Sequence, residues 1–253
     1  MTSHTSFDAF VVAWLLLAVA VFAVLFFVTA PYGRHLRRGW GPTLPARWGW
    51  LLMEAPSPLI FAAFFAIGPF NRDVTAWVFL AMWGAHYVHR AFVYPWMLKD
   101  AGRRMPAGVL LMAVAFNSVN ASINGRWLFG LSGGYGDDWL TDPRFVAGLT
   151  LFVASFVVNR QADGSLRALR GSGETGYRIP RGGLYRWISC PNYLGEIVEW
   201  TGWALATWSL PGLAFAAWTV ANLAPRARAN QRWYRERFPD YPPERKALVP
   251  GVW

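Results

Sequence analysis

Ala9-Phe-Val-Val-Ala-Trp-Leu-Leu-Leu-Ala-Val-Ala-Val-Phe-Ala-Val-Leu-Phe-Phe-Val-Thr-Ala30 holds 22 residues without a charge. A helix of roughly 20 apolar residues crosses a bilayer, and no aqueous core needs such a run. The flanks carry no basic n-region and the stretch outlasts a signal h-region, so it reads as a retained helix. The rest of the chain agrees. Of 253 residues 55% are hydrophobic and 15% charged, against roughly 25% charged in a soluble domain. Sixteen Trp and eighteen Phe are too many for one aqueous core. Seven spans of roughly 20 residues would use about 140 positions. The short loops left over exclude a separate soluble catalytic domain. The expectation is an all-α, polytopic bundle of seven transmembrane helices, forming one domain over residues 1–253.

Charge sets the orientation. Twenty of the 24 Lys and Arg fall in four segments: 34–47, 99–104, 160–186 and 226–246. The alternate connections hold only Arg72, Arg126 and Arg144, together with Asp73, Asp137, Asp138 and Asp142. Positive loops stay cytosolic. The N-terminus is therefore expected outside, the C-terminus in the cytosol, and the span number odd. The spans read as residues 9–30, 48–67, 74–94, a stretch within 105–125, then 144–159, 194–210 and 211–224. The fifth can continue as a cytosolic helix. Ser209-Leu-Pro-Gly212 marks a tight turn between the last two. A net charge of +10 distributed in this way speaks for a lipid bilayer as partner and against nucleic acid.

One cysteine and four scattered His (His4, His35, His86, His89) leave no disulfide framework and no protein-ligated metal. The informative residues are polar ones in apolar sequence. Glu54, Glu196 and Glu199 are costly in hydrocarbon and point to an internal cavity. Glu54 lies seven residues past Arg47, about 10 Å inside the cytosolic boundary and too deep for easy snorkelling. Residues three or four apart share a helix face, which gives four stripes. They are Tyr87, Arg90 and Tyr94; Asn159, Asp163, Arg167 and Arg170; Asn192, Glu196 and Glu199; and Arg226, Asn230 and Tyr234. Arginines alone would read as headgroup anchors, the preferred reading for Arg228, Arg232, Arg235 and Arg237. Mixed acid, amide and guanidinium groups suit a nucleotide instead. Arg forks take phosphate oxygens, and carboxylates accept from ribose hydroxyls or an amide.

Gly171-Ser-Gly-Glu-Thr-Gly176 matches G-x-G-x-x-G in letters only. No strand precedes it and no helix opens after it, so it is not a dinucleotide fingerprint. Cys190 precedes Pro191 with no His nearby in sequence and reads as a packed small residue. His86 and His89, flanking Tyr87, serve either a site hydrogen bond or helix packing.

A family pattern runs through these residues. Tyr177-Arg-Ile-Pro-Arg-Gly-Gly-Leu-Tyr185 continues to Asn192-Tyr-Leu-Gly-Glu196 and Ile197-Val-Glu-Trp-Thr-Gly-Trp-Ala204. The tail carries Asp240-Tyr-Pro and Arg245-Lys-Ala-Leu-Val-Pro250. Upstream stand Tyr32-Gly-Arg-His35, Leu52-Met-Glu54 and His86-Tyr-Val-His-Arg-Ala-Phe-Val-Tyr94. The chain closely resembles the membrane steroid 5α-reductases, the 3-oxo-5α-steroid 4-dehydrogenases. That resemblance implies seven helices, NADPH as cofactor and reduction of a 3-oxo-Δ4-steroid by hydride transfer to C5. By position, Glu54 and Tyr87 match the pair that holds the substrate carbonyl. Asn159, Asp163, Arg170, Tyr177, Arg178, Asn192, Glu196, Arg226 and Tyr234 match cofactor-contacting positions. Tyr32, Arg34, Arg90 and Tyr94 join that set, with Arg167 and Asn230 on its stripes, so the cofactor half is mainly 144–253. Two departures bear on specificity: Met53 stands where the family often has Gln, and Asn230 where vertebrate members have His.

Hydride addition to an enone puts negative charge on the C3 oxygen, and donors aimed there stabilise it. Tyr87 supplies an O–H. Glu54, buried in low dielectric, is expected to have a raised pKa and to serve protonated as a second donor. Other readings stay open: a reductase of another lipid enone or enoyl thioester on this scaffold, or a lipid-binding or transport protein without chemistry. A methyltransferase using S-adenosylmethionine would not need so many phosphate-grade arginines. The partners expected are a lipophilic, steroid-like substrate and the bilayer, with the chain a monomer. Two Lys against 22 Arg hint at a GC-rich bacterial genome, which would place it in an inner membrane. A eukaryotic chain would sit in the endoplasmic reticulum.

Overall fold

The charge-free run folds as α1, Thr2–Phe27. It starts seven residues earlier than the apolar stretch, because backbone hydrogen bonding extends a formed helix cheaply past its apolar part. A computed structural model describes residues 2–99, 102–169, 171 and 176–253. Those residues are mostly helical. Four helical segments among them are long and apolar enough to cross a membrane: His4–Phe27, Ala46–Ile67, Ala107–Leu131 and Pro143–Ala168. The chain divides into two compact units. The first holds residues 1–5 and 31–146, the second residues 6–30 and 147–253.

In the first unit α2 (Ala46–Glu54) and α3 (Pro56–Ile67) together occupy the second expected span. The break has a chemical cause. Pro56 and Pro58 carry no N–H for the carbonyls of Leu52 and Glu54 one turn back. Glu54 thereby becomes the last residue of α2. Helix α4 (Val74–Val88) runs into one turn of π-helix, His89–Val93, and then α5 (Tyr94–Met97). Helix α6 (Ala107–Arg126) also ends in a π turn, Trp127–Leu131. π turns insert a residue and re-aim the side chains beyond them. Helices α3 and α6 approach closely: a Cβ on Gly125 would come within 2.9 Å of the Phe64 Cβ. Two short strands, β1 (Thr43–Pro45) and β2 (Arg104–Pro106), pair antiparallel. Arg104 locks them with its Nε donating to the Thr43 Oγ1 at 2.6 Å. Phe61 stacks on Trp83 at 4.4 Å and meets Phe129 edge-on, which closes the aromatic core.

In the second unit α7, Pro143–Ala168, contributes all but its first turn. The fifth span therefore does continue, nine residues past Asn159. Helix α8 (Pro191–Thr207) packs on it through glycine, since a Cβ on Gly202 would stand 2.6 Å from the Phe152 amide nitrogen. Trp208, in left-handed conformation at φ 43°, and Ser209 make the turn that sequence placed there. The Ser209 side chain caps α9 by accepting from the Gly212 amide. Helix α9 (Leu210–Arg237) then runs 28 residues, far beyond position 224, where the last span was expected to close. It passes through Pro225, its apolar first half giving way to an Arg-rich second half. The Trp218 indole donates to the Trp14 carbonyl at 3.0 Å, which ties α1 to α9.

Candidate functional site

The break after Glu54 and the π turn after Tyr87 put chemistry at two helix irregularities of the first unit. Glu54 and Tyr87 are both buried, at 8% and 3% exposure. They meet through a residue that sequence reasoning did not single out, Asn117 of α6, 5% exposed. Asn117 Nδ2 donates to the Met53 carbonyl at 2.6 Å and to Glu54 Oε2 at 3.2 Å. Its Oδ1 accepts from the Tyr87 hydroxyl at 3.5 Å. Arg90, carried inward on the π turn, stands with Nε 3.6 Å from Glu54 Oε1. Its guanidinium lies over the rings of Trp50 and Tyr94, at 4.7 and 5.3 Å. The stripe Tyr87–Arg90–Tyr94 is thus a single neighbourhood, and Glu54 belongs to it. Both Glu54 oxygens face donors. Trp83 and His86 wall the Tyr87 ring at 5.1 and 5.0 Å. One turn past Glu54, at the start of α3, Ser57 Oγ, and one turn past Asn117 on α6, Asn120 Nδ2, are buried with no hydrogen-bond partner among the described residues. Orphaned polar atoms of that kind suit a ligand with oxygens of its own.

The second unit collects the other stripes. Asn159 and Asp163 of α7 are buried and both hold Asn192, the second residue of α8. Asn159 Nδ2 donates to the Asn192 carbonyl at 2.9 Å, and Asn192 Nδ2 to Asp163 Oδ1 at 3.1 Å. On α9, Arg226 Nε donates to the Tyr193 hydroxyl at 2.9 Å, which Asn230 Nδ2 also approaches at 3.4 Å. Asn230 further contacts the buried Cys190 Sγ, so that thiol is packed, as sequence suggested. Tyr234 donates to the Arg178 carbonyl at 3.5 Å, and Tyr177 meets Trp233 edge-on at 4.9 Å. Glu196 and Arg167 are half-buried on α8 and α7. Tyr32 and Arg34, in the first unit, flank and form the 3₁₀ turn Gly33–His35. Arg170 lies outside the described residues, as do residues 172–175 of the glycine-rich loop.

The tail motif has a structural task in this unit. Lys246 donates its amide to the Trp187 carbonyl, while Ser189 and Cys190 donate theirs to Lys246 and Ala247. Buried Arg245 donates to the Pro180 carbonyl at 3.1 Å. The 245–248 segment so holds the loop that starts α8. Tyr185 donates to the Ala162 carbonyl at 3.3 Å, and burial pushes its phenol pKa well above the ordinary value.

Asn117 and Tyr193 are the residues sequence reasoning missed. A signal for the first existed: Asn117, Asn120 and Asn124 stand at helical spacing in a charge-free span. Tyr193 stood inside the quoted motif Asn192-Tyr-Leu-Gly-Glu196, but its partners come from another helix, so spacing within its own helix did not reveal its role.

Comparison with known proteins identifies the family. The family model for 3-oxo-5-alpha-steroid 4-dehydrogenases matches residues 103–253. A steroid 5-alpha-reductase of Gossypium hirsutum is 40% identical over 100% of this chain and 99% of its own length. The 3-oxo-5-alpha-steroid 4-dehydrogenase 1 of Bos taurus is 42% identical, over 92% of each chain. The human 3-oxo-5-alpha-steroid 4-dehydrogenase 1 is 40% identical, over 92% of this chain and 90% of its own. This chain belongs to the steroid 5-alpha-reductase family. It is accordingly an oxidoreductase with helices fit for a membrane.

Proposed function

We infer that the chain reduces the Δ4 double bond of 3-oxo-Δ4-steroids, giving 5α-dihydro-3-oxosteroids. Family membership supports the reaction. The observation that carries it to particular residues is the buried Glu54–Asn117–Tyr87 cluster. Tyr87 and Glu54 hold the C3 oxygen. Tyr87 presents its hydroxyl proton to it, and Glu54 presents a second when its carboxyl is protonated; together they stabilise the negative charge that develops there. Aromatic walls keep water from that charge and suit an apolar ring system.

NADPH, when bound, supplies the hydride taken up at steroid C5, and solvent or a nearby acid supplies the proton that completes the reduction at C4. The donor set of the second unit fits such a cofactor. Asp163 offers a carboxylate to hydroxyl or amide hydrogens, Asn159, Asn192 and Asn230 offer amides, and Arg226 offers a guanidinium to phosphate. Tyr177, Arg178, Glu196, Tyr234, Arg167 and Arg170, with Tyr32, Arg34, Arg90 and Tyr94, complete the proposed set. The 2′-phosphate calls for Arg partners, so NADPH is preferred over NADH. The protein acts as one seven-span domain, N-terminus outside and C-terminus cytosolic, and as a monomer in the bilayer.

Product analysis with testosterone, progesterone and an enoyl thioester tests the reaction, run with NADPH and NADH in parallel. The expected result is a 5α-reduced steroid with NADPH. Reduction of the thioester alone would transfer the reading to another lipid substrate, and equal rates with NADH would remove the 2′-phosphate argument. Cysteines introduced at Ser3 and Arg237 test orientation: labelling of both from one side overturns it.

A further inference from the structure

We propose that Asn117 is a positioning residue for this reaction, the group that points the Glu54 carboxyl and parks the Tyr87 hydroxyl. The inference rests on the reading of Glu54 and Tyr87 as the carbonyl-binding pair. Its ground is that one amide is fully committed and can sit only one way round. The Met53 carbonyl can only accept, so the atom 2.6 Å from it must be the amide nitrogen. That leaves the second amide hydrogen for Glu54 Oε2 at 3.2 Å. The amide oxygen is thereby turned to the Tyr87 hydroxyl at 3.5 Å.

Each of the three contacts has its own consequence. The Met53 bond anchors α6 to the helix break. The Glu54 bond fixes one carboxyl oxygen as an acceptor, which restricts the side chain's rotation. The Tyr87 contact is long for a hydroxyl donor and therefore weak. A ketone oxygen can take the place of Oδ1 at little cost, with the hydroxyl already turned inward. Asn117 touches neither substrate nor cofactor in this scheme and acts through the pair. Arg90 reaches Glu54 at its other oxygen, so the two groups hold the carboxyl from both sides.

The test uses the full-length enzyme in detergent or nanodiscs. Asn117→Leu keeps the side chain's size and removes every polar contact. It should lower kcat about 10- to 100-fold, the scale of a misplaced reacting group. The KM for NADPH should stay within about twofold, since the cofactor residues of the second unit are untouched. In a Tyr87→Phe background the same change should cost only about threefold more, because the hydroxyl it parks is gone. Asn117→Asp preserves shape but cannot donate when ionised. It should lose activity near neutral pH and regain part of it at acid pH, where its carboxyl can donate to Glu54. The ionisable groups facing it are Glu54, Tyr87 and, behind them, Arg90 and His86. A purely structural role predicts additive losses and no acid recovery, and either finding overturns the proposal. Should Asn117→Leu fold poorly, the Asn117→Asp pH profile decides alone. If Tyr87→Phe and Glu54→Ala fall while Asn117→Leu and Asn117→Asp match the unmutated enzyme, only this inference fails. If Tyr87→Phe and Glu54→Ala themselves retain full turnover, the carbonyl-pair reading fails and this inference with it.

Discussion

Among the described residues two buried polar clusters, those of Glu54 and of Asp163, are built by opposite means. The Glu54 cluster of the first unit sits where helices are irregular, at a proline break and a π turn. Its walls are aromatic and its groups hydrogen-bond mainly to one another. The Asn159–Asp163–Asn192 cluster of the second unit sits on regular helices that glycine lets approach closely. A Cβ on Gly195 would come within 2.8 Å of the Asn159 amide nitrogen. Asn159 donates to a backbone carbonyl and Asn192 to the Asp163 carboxylate, while Tyr234 of α9 reaches the carbonyl of Arg178. A cluster closed by aromatic rings concentrates the field on a single charge. A cluster open to a run of amides and guanidinium groups distributes its contacts along an extended polar ligand. Under the proposed function the first layout would serve bond making and the second holding.

Kinetics can break that contrast. If Tyr87 and Glu54 hold the charge-bearing oxygen as proposed, Tyr87→Phe and Glu54→Ala should each lower kcat by about 10²–10³. NADPH affinity should hardly move, and the double mutant should lose less than the product of the two singles, since both act on one oxygen. Near-normal single-turnover reduction by Tyr87→Phe would remove that residue from the chemistry. A smaller effect with the opposite signature is expected in the second unit. Asp163→Ala frees Asn192 and deletes a carboxylate, so it should raise the NADPH KM about tenfold, equivalent to about 1.4 kcal/mol. Its kcat should change much less. A pure kcat loss there would erase the division of labour.

The least effect concerns stability at the start of α7, away from both clusters. The Arg144 side chain, bonded to Asp142 at 2.8 and 2.9 Å, holds that carboxyl at about 2. The unfolded value is about 3.9. The folded value is thus the lower one. The stabilisation is present above about pH 4 and disappears as pH falls through about 2. Asp142→Asn should flatten the acid end of the melting-temperature curve by a small amount, because solvent screens this half-buried pair. Identical curves for the two proteins would mean the pair contributes nothing.

Much of this was legible before any coordinates. A 22-residue charge-free run and an asymmetric distribution of Arg mark a membrane chain, because the cost of charge in hydrocarbon is a property of composition. Residues three or four apart share a helix face whatever surrounds the helix. The stripes Tyr87–Arg90–Tyr94 and Asn159–Asp163 therefore followed from spacing alone. Helix ends were less readable. Helix α9 outruns its apolar part by thirteen residues, since hydrophobicity marks where lipid stops and not where backbone hydrogen bonds stop. What only the tertiary structure decided are the partnerships between helices. Asn117 meets Glu54 and Tyr87, and Tyr193 meets Arg226, because separate helices pack in one particular register. That register depends on side-chain shapes at many contacts at once, such as Gly125 against Phe64 and Gly202 against Phe152. No spacing rule within one segment contains it, because periodicity orders residues around a single axis and cannot fix one axis against another.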